Sequence, residues 1–186
     1  DIPAAHLVGM SMGGMISQIV AGRYPDRVLS LTSIMSTSGE RGKGEASLKV
    51  SLKMLQPASK DKTPLDIAVE IWQMLGSPAY PMSDDEIRAQ VIAEHKRSSN
   101  PAGYMRQISA IRTSPSRVAL LNAIKVPTLI IHGNQDVLVP VSGGIDTAKH
   151  IARAELVRFE GMGHTLPQAL LGQFADLIHK NSNIGN

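Results

Sequence analysis

Cysteine is absent from the 186 residues, which removes disulfides, thiolate metal sites and a cysteine nucleophile together. That absence fits a cytosolic protein without excluding export. Aromatic residues make up only 3%, too few for the stacking platforms that hold single-stranded nucleic acid. A strong excess of charge of one sign is also missing. Nineteen Lys and Arg against 16 Asp and Glu leave a scattered net +3, so no nucleic-acid partner is expected. Residues 2–22 carry no Asp, Glu, Lys or Arg, but Gly9, Ser11, Gly13, Gly14, Ser17 and Gln18 interrupt them and no basic segment precedes them. Neither a membrane span nor a signal peptide is therefore expected. The chain opens at Asp1 without Met, as expected of a processed chain or a fragment.

What is present suits a buried core: 42% of residues are hydrophobic and 19% charged, at a length typical of one domain. Residues 5–9 (AHLVG) read as a short strand, followed by a Gly/Ser turn. Apolar residues at 15, 16, 19 and 20 then predict a helix over 15–24, ended by Pro25 and Asp26. Residues 27–35 (RVLSLTSIM) read as a second strand. Strand, helix and strand with short joints predict a parallel sheet with a right-handed crossover. Residues 36–44 form a polar, glycine-rich break. Helical spacing follows over 46–55, 64–75, 83–96, 102–111 and 117–123, the third opened by a Ser83/Glu86 capping box. The parallel pattern then resumes with a strand at 126–132, a helix at 145–152, a strand at 155–160 and a terminal helix at 166–180. The fold class is α/β, a parallel sheet with flanking helices interrupted by a helical insertion.

Gly9-Met10-Ser11-Met12-Gly13 matches G-x-S-x-G and lies between a predicted strand and a predicted helix. Glycines two before and two after the serine let strand and helix approach closely around a strained turn. The serine oxygen is then held out at the sheet edge, above the positive end of the helix. The plain alternative is a Gly/Ser turn, and by composition the pattern arises in roughly 5% of chains this long. A serine nucleophile needs a base, and the base needs an orienting carboxylate. Asp136 follows the strand in LIIHGNQD, where a turn aspartate is the ordinary reading. His164 lies in the glycine-rich EGMGH after the last strand. Ser, Asp and His in this order, each just past a strand end, form the arrangement that decides between these readings.

The segments GMSMGG, LIIHGNQDVLVP and EGMGHTLP resemble the α/β-hydrolase superfamily, most closely microbial esterases and lipases of the aclacinomycin methylesterase-like type. The resemblance implies Ser11 as nucleophile, His164 as general base and then acid, Asp136 as its orienting partner, and the Met12 backbone N–H as an oxyanion donor. It implies no cofactor and no metal, and a small-molecule ester as substrate. It divides the chain into a partial core, 1–36 and 117–186, and a helical cap, 37–116. Complete members have about four strands before the nucleophile strand, and a loop there supplies a second oxyanion N–H. These residues contain neither, which would leave the edge at His6, Leu7 and Val8 free to pair with a second copy or with an N-terminal half. A catalytically weak or inactive fragment acting by association is thus a second reading, and perhydrolysis by the same triad a third. Dehalogenase and epoxide-hydrolase chemistry is not expected, because those relatives carry Asp where Ser11 stands.

Other residues draw plainer expectations. Asp26, Asp146 and Asp176 lie in or beside predicted helices and read as solvated positions. His6, His95, His150 and His179 show no metal-ligand spacing, and His132 reads as a hydrogen-bonded core histidine. Met10, Met12, Met15 and Met162 line a pocket or simply pack. The basic stretch over 41–62 reads as a solvated face.

Overall fold

The computed structural model describes residues 2–55, 61–98 and 100–184. Four strands, β1 (Ala5–Met10), β2 (Val28–Ile34), β3 (Thr128–Gly133) and β4 (Ala154–Phe159), form one sheet in the order β1-β2-β3-β4. Every neighbouring pair is parallel. All six residues of β3 are buried, as suits a strand covered on both faces, whereas β1 alternates between half-buried and exposed up to Gly9.

Register divides the sheet into two faces. Leu7, Leu31 and Ala154 contribute to one, packed with Ala21 of α1 (Met12–Arg23), Leu121 of α6 (Val118–Ala123), Ile124 and Ile151. Ile34, Leu129, Ile131, Val157 and Phe159 contribute to the other, against Phe174, Leu177 and Ile178 of α8 (Leu171–Ser182). Asn181 of α8 also donates to the Leu31 carbonyl at 3.0 Å. That second face stops short at β1: Val8 is 51% and Met10 46% exposed, and no described strand pairs with the outer edge of β1.

Between β2 and β3 lie α2 (Leu48–Leu55), α3 (Pro64–Leu75), α4 (Asp84–Arg97), α5 (Pro101–Thr113) and α6. The Ser83/Glu86 capping box forms with both reciprocal bonds, and Thr63 with Asp66 makes another at α3. Val69, Ile87 and Val91 give α3 and α4 a small core of their own. The two ends of this segment are tied together by Arg117. Its backbone N–H donates to Ser38 O at 2.8 Å and its guanidinium to Thr37 O at 2.8 Å and to Gln18 at 3.1 Å.

Three expected boundaries move for identifiable reasons. α7 (Ser142–His150) begins at 142 rather than 145, although Gly143 and Gly144 resemble helix breakers. A Cβ at Gly143 would lie 2.9 Å from Thr37 Cβ, and one at Gly144 would run into the His132 ring. Both glycines are therefore packing residues. The terminal α-helix begins at Leu171, because Pro167 is extended and 168–170 form a 3₁₀ turn. Helix α1 begins at Met12 rather than at 15, directly behind Ser11. No described helix is long and apolar enough to cross a membrane.

Candidate functional site

Ser11 sits at the joint between β1 and α1 with φ 52° and ψ −118°, a conformation that ordinary residues avoid. Such backbone costs on the order of 1–3 kcal/mol and persists only where its surroundings hold it. Here the end of β2 does so. Ser11 N–H donates to Ile34 O at 2.8 Å, and Ser36 Oγ donates to Ser11 O at 2.9 Å. The expected close approach of strand and helix is met at Gly9, where a Cβ would collide with the Gly13 carbonyl and lie 2.6 Å from Ser17 Oγ. The expectation for Gly13 needs correction. A Cβ there would meet open space, and the second tight position is Gly14, 2.7 Å from Ser36 Cβ. Met12 N–H opens α1, where no intrahelical acceptor exists for it.

Asp136 lies on the loop after β3. Its Oδ1 accepts N–H bonds from Leu138 at 2.9 Å and Val139 at 2.8 Å, which fixes the carboxylate plane. Its Oδ2 lies 2.7 Å from His164 Nδ1, and His164 Nε2 lies 3.0 Å from Ser11 Oγ. Three loops, each beyond the C-terminal end of a parallel strand, thus bring Ser11, His164 and Asp136 into one hydrogen-bonded chain. The Asp136 side chain is fully buried and that of His164 is only 7% exposed.

A second histidine stands behind Asp136. His132, fully buried, has Nε2 2.7 Å from Val139 O; a carbonyl can only accept, so Nε2 carries the proton. Its Nδ1 has no partner, and burial pushes its basicity below the ordinary imidazole value. The expected hydrogen-bonded core histidine is therefore neutral, with Nε2 3.6 Å from Asp136 Oδ2. Asp146 departs from its expectation. It is buried, accepting the Ser38 hydroxyl at 2.5 Å, rather than solvated. Met162 is a core residue with no exposure, whereas Met15 and Met10 line cavities.

Two cavities flank the chain of bonds. One, of about 510 Å³, is lined by Ser11, Met15, Tyr104, Ile108, Arg117 and Leu138. The other, of about 920 Å³, is lined by Met10, Trp72, Ser77, Tyr80, Val137 and His164. Sequence reading missed the residues that hold the His164 loop. His164 N–H donates to Leu75 O at 2.8 Å and Gly163 N–H to Ser77 Oγ at 2.9 Å. Nothing in the local sequence marks Leu75 or Ser77, because the contact spans more than eighty residues.

A family described as serine aminopeptidase, S33, within the α/β hydrolases, matches residues 3–168. The chain belongs to the α/β hydrolases. Among similar hydrolases, rhodomycin D methylesterase DnrP of Streptomyces peucetius is 29% identical, over 91% of this chain and 64% of its own. Monoacylglycerol lipase ABHD6 of Bos taurus is 31% identical, over 96% of this chain and 56% of its own. The chain thus spans less than two thirds of the length of these two relatives. A solved meta-cleavage product hydrolase from Pseudomonas fluorescens has the same fold, with a TM-score of 0.74 and 21% identity over 100% of this chain and 66% of that one. An esterase structure from Rhodococcus gives 0.72 and 19% over 96% of this chain and 66% of that one.

Proposed function

We propose that this hydrolase cleaves carboxylic esters through an acyl-enzyme. The observation that carries the proposal is the continuous Ser11–His164–Asp136 chain, with links of 3.0 and 2.7 Å. His164 Nε2 takes the Ser11 hydroxyl proton as Oγ attacks the ester carbonyl carbon, and the carbonyl oxygen becomes an oxyanion near Met12 N–H. Collapse expels the alcohol oxygen, which receives the proton from His164. Water then attacks the acyl-enzyme, giving its proton to Nε2. A second collapse releases the carboxylic acid and returns the proton to Ser11. Asp136 fixes the tautomer and stabilises the imidazolium. The names of the relatives, a methylesterase and a monoacylglycerol lipase, support ester rather than amide substrates. Residues 37–116 act as the cap, shaping the two cavities on either side of Ser11 and His164.

The test compares initial rates on nitrophenyl acetate and butyrate for the parent and Ser11→Ala. Only the difference counts, since surface imidazoles and amines cleave such esters slowly. The expected result is turnover that disappears with the hydroxyl; equal rates refute the proposal.

A second reading is favoured by the open flank of β1, where exposed Val8 and Met10 lie beside a strand edge that no described strand pairs with. On this reading the chain associates edge to edge, with a second copy or with a separate N-terminal half that adds a strand and a further oxyanion N–H. A monodisperse monomer in sedimentation velocity at high concentration rules out self-association.

A further inference from the structure

We infer that Ser77 is a positioning residue for His164, latching the histidine loop to the helical segment between β2 and β3. The inference rests on the ester-hydrolase reading for its kinetic consequences only. Ser77 is 5% exposed and lies just beyond α3, 86 residues before Gly163 in the chain. Its Oγ accepts the Gly163 N–H at 2.9 Å and shares a proton with Thr165 Oγ1 at 2.8 Å, so it holds the residue on each side of His164. The neighbouring Leu75 carbonyl accepts the N–H of His164 itself, and Gly161 O accepts from Ala79 N at 3.1 Å. The fit leaves no slack: a Cβ at Gly163 would overlap the Gly76 carbonyl, and one at Gly161 would overlap Ala79 Cβ.

A purely local loop would need none of this. The strand end at Phe159 sets where the loop starts, but residues 160–165 have little apolar side chain to anchor them apart from Met162. Ser77 supplies the missing constraint as a buried hydroxyl that accepts the Gly163 N–H and is hydrogen-bonded to Thr165 Oγ1. Loss of that hydroxyl leaves Gly163 N–H buried and unsatisfied, and the loop relieves it by shifting. A shift of His164 by a fraction of an ångström spoils both of its bonds, which matters to the rate far more than to substrate binding. Trp72 and Ser77 also line the 920 Å³ cavity beside His164.

The test is Ser77→Ala, with Ser77→Thr as the variant that keeps the hydroxyl. In Ser77→Ala, kcat falls about tenfold with KM within twofold, and Ser77→Thr restores at least half of the parent kcat. The downfield proton resonance of the His164–Asp136 hydrogen bond, present in the parent, broadens or vanishes in Ser77→Ala and returns in Ser77→Thr. If Ser77→Ala does not fold, Thr165→Val carries the test with the same two readouts. Unchanged kcat with a lowered melting temperature, an unchanged resonance, or a parent without that resonance overturns the inference. A parent with no Ser11-dependent turnover refutes ester hydrolysis alone, and the resonance then decides the latch by itself.

Discussion

Replacing Asp136 by Asn separates the electrostatic part of the site from its architecture. The amide oxygen can still accept the Leu138 and Val139 N–H groups, at 2.9 and 2.8 Å in the parent, so the loop keeps its turn. The amide nitrogen then occupies the position 2.7 Å from His164 Nδ1. It is a donor, so Nδ1 must accept and the imidazole proton moves to Nε2. That nitrogen lies 3.0 Å from Ser11 Oγ and can no longer take the serine proton. The wrong tautomer, with loss of the anion beside the imidazolium, costs about 10⁴ in kcat at neutral pH, or about 5.4 kcal/mol of barrier. Folding is little affected, since both backbone bonds remain: about 1 kcal/mol, or a shift in melting midpoint of no more than about 4 °C. The assay is the initial rate on nitrophenyl butyrate with the Ser11→Ala rate subtracted, beside a thermal melt. A variant that keeps a tenth or more of the Ser11-dependent rate refutes the tautomer argument.

Further outcomes follow from the same contacts. Gly9→Ala places a methyl group against the Gly13 carbonyl and Ser17 Oγ, so it lowers stability by about 1–3 kcal/mol in a thermal melt and displaces the Ser11 turn, with loss of turnover. His132 has a depressed folded pKa, so the unfolded chain takes up its proton first as pH falls. Its contribution is complete above about pH 6.5 and is lost as pH drops through the lower folded value. His132→Gln, which keeps a donor for Val139 O, therefore gives a shallower fall in melting temperature between about pH 6.5 and 5. Arg117→Lys keeps the charge but cannot serve Gln18 and Thr37 O together, and it costs on the order of 1.5–3 kcal/mol by denaturant titration.

Much of the fold was legible because its signals are local. The near-continuous apolar run of β3 follows from cover on both of its faces. Helix α3 spans the expected residues 64–75, with Pro64 at its first position and the Thr63 cap before it. Where reading failed, the deciding atoms came from elsewhere in the chain. Gly143 and Gly144 look like helix breakers until Thr37 and His132 are placed against them. Asp146 looks solvated until Ser38 covers it from 108 residues away. The G-x-S-x-G spacing points to Gly13, and only the position of Ser36 shows that Gly14 is the tight one.

The sequence by itself determined the order Ser11, Asp136, His164 and the strand ends that carry them, because strand period, turn composition and the G-x-S-x-G spacing are properties of neighbouring residues. Tertiary structure decided the rest: the 3.0 and 2.7 Å links, the neutral His132 behind Asp136, and the grip of Leu75 and Ser77 on the His164 loop. The physical reason is range. Periodicity and backbone preference act over a few residues, whereas a hydrogen bond or a steric limit between residues 86 or 153 positions apart exists only once the chain has closed around it.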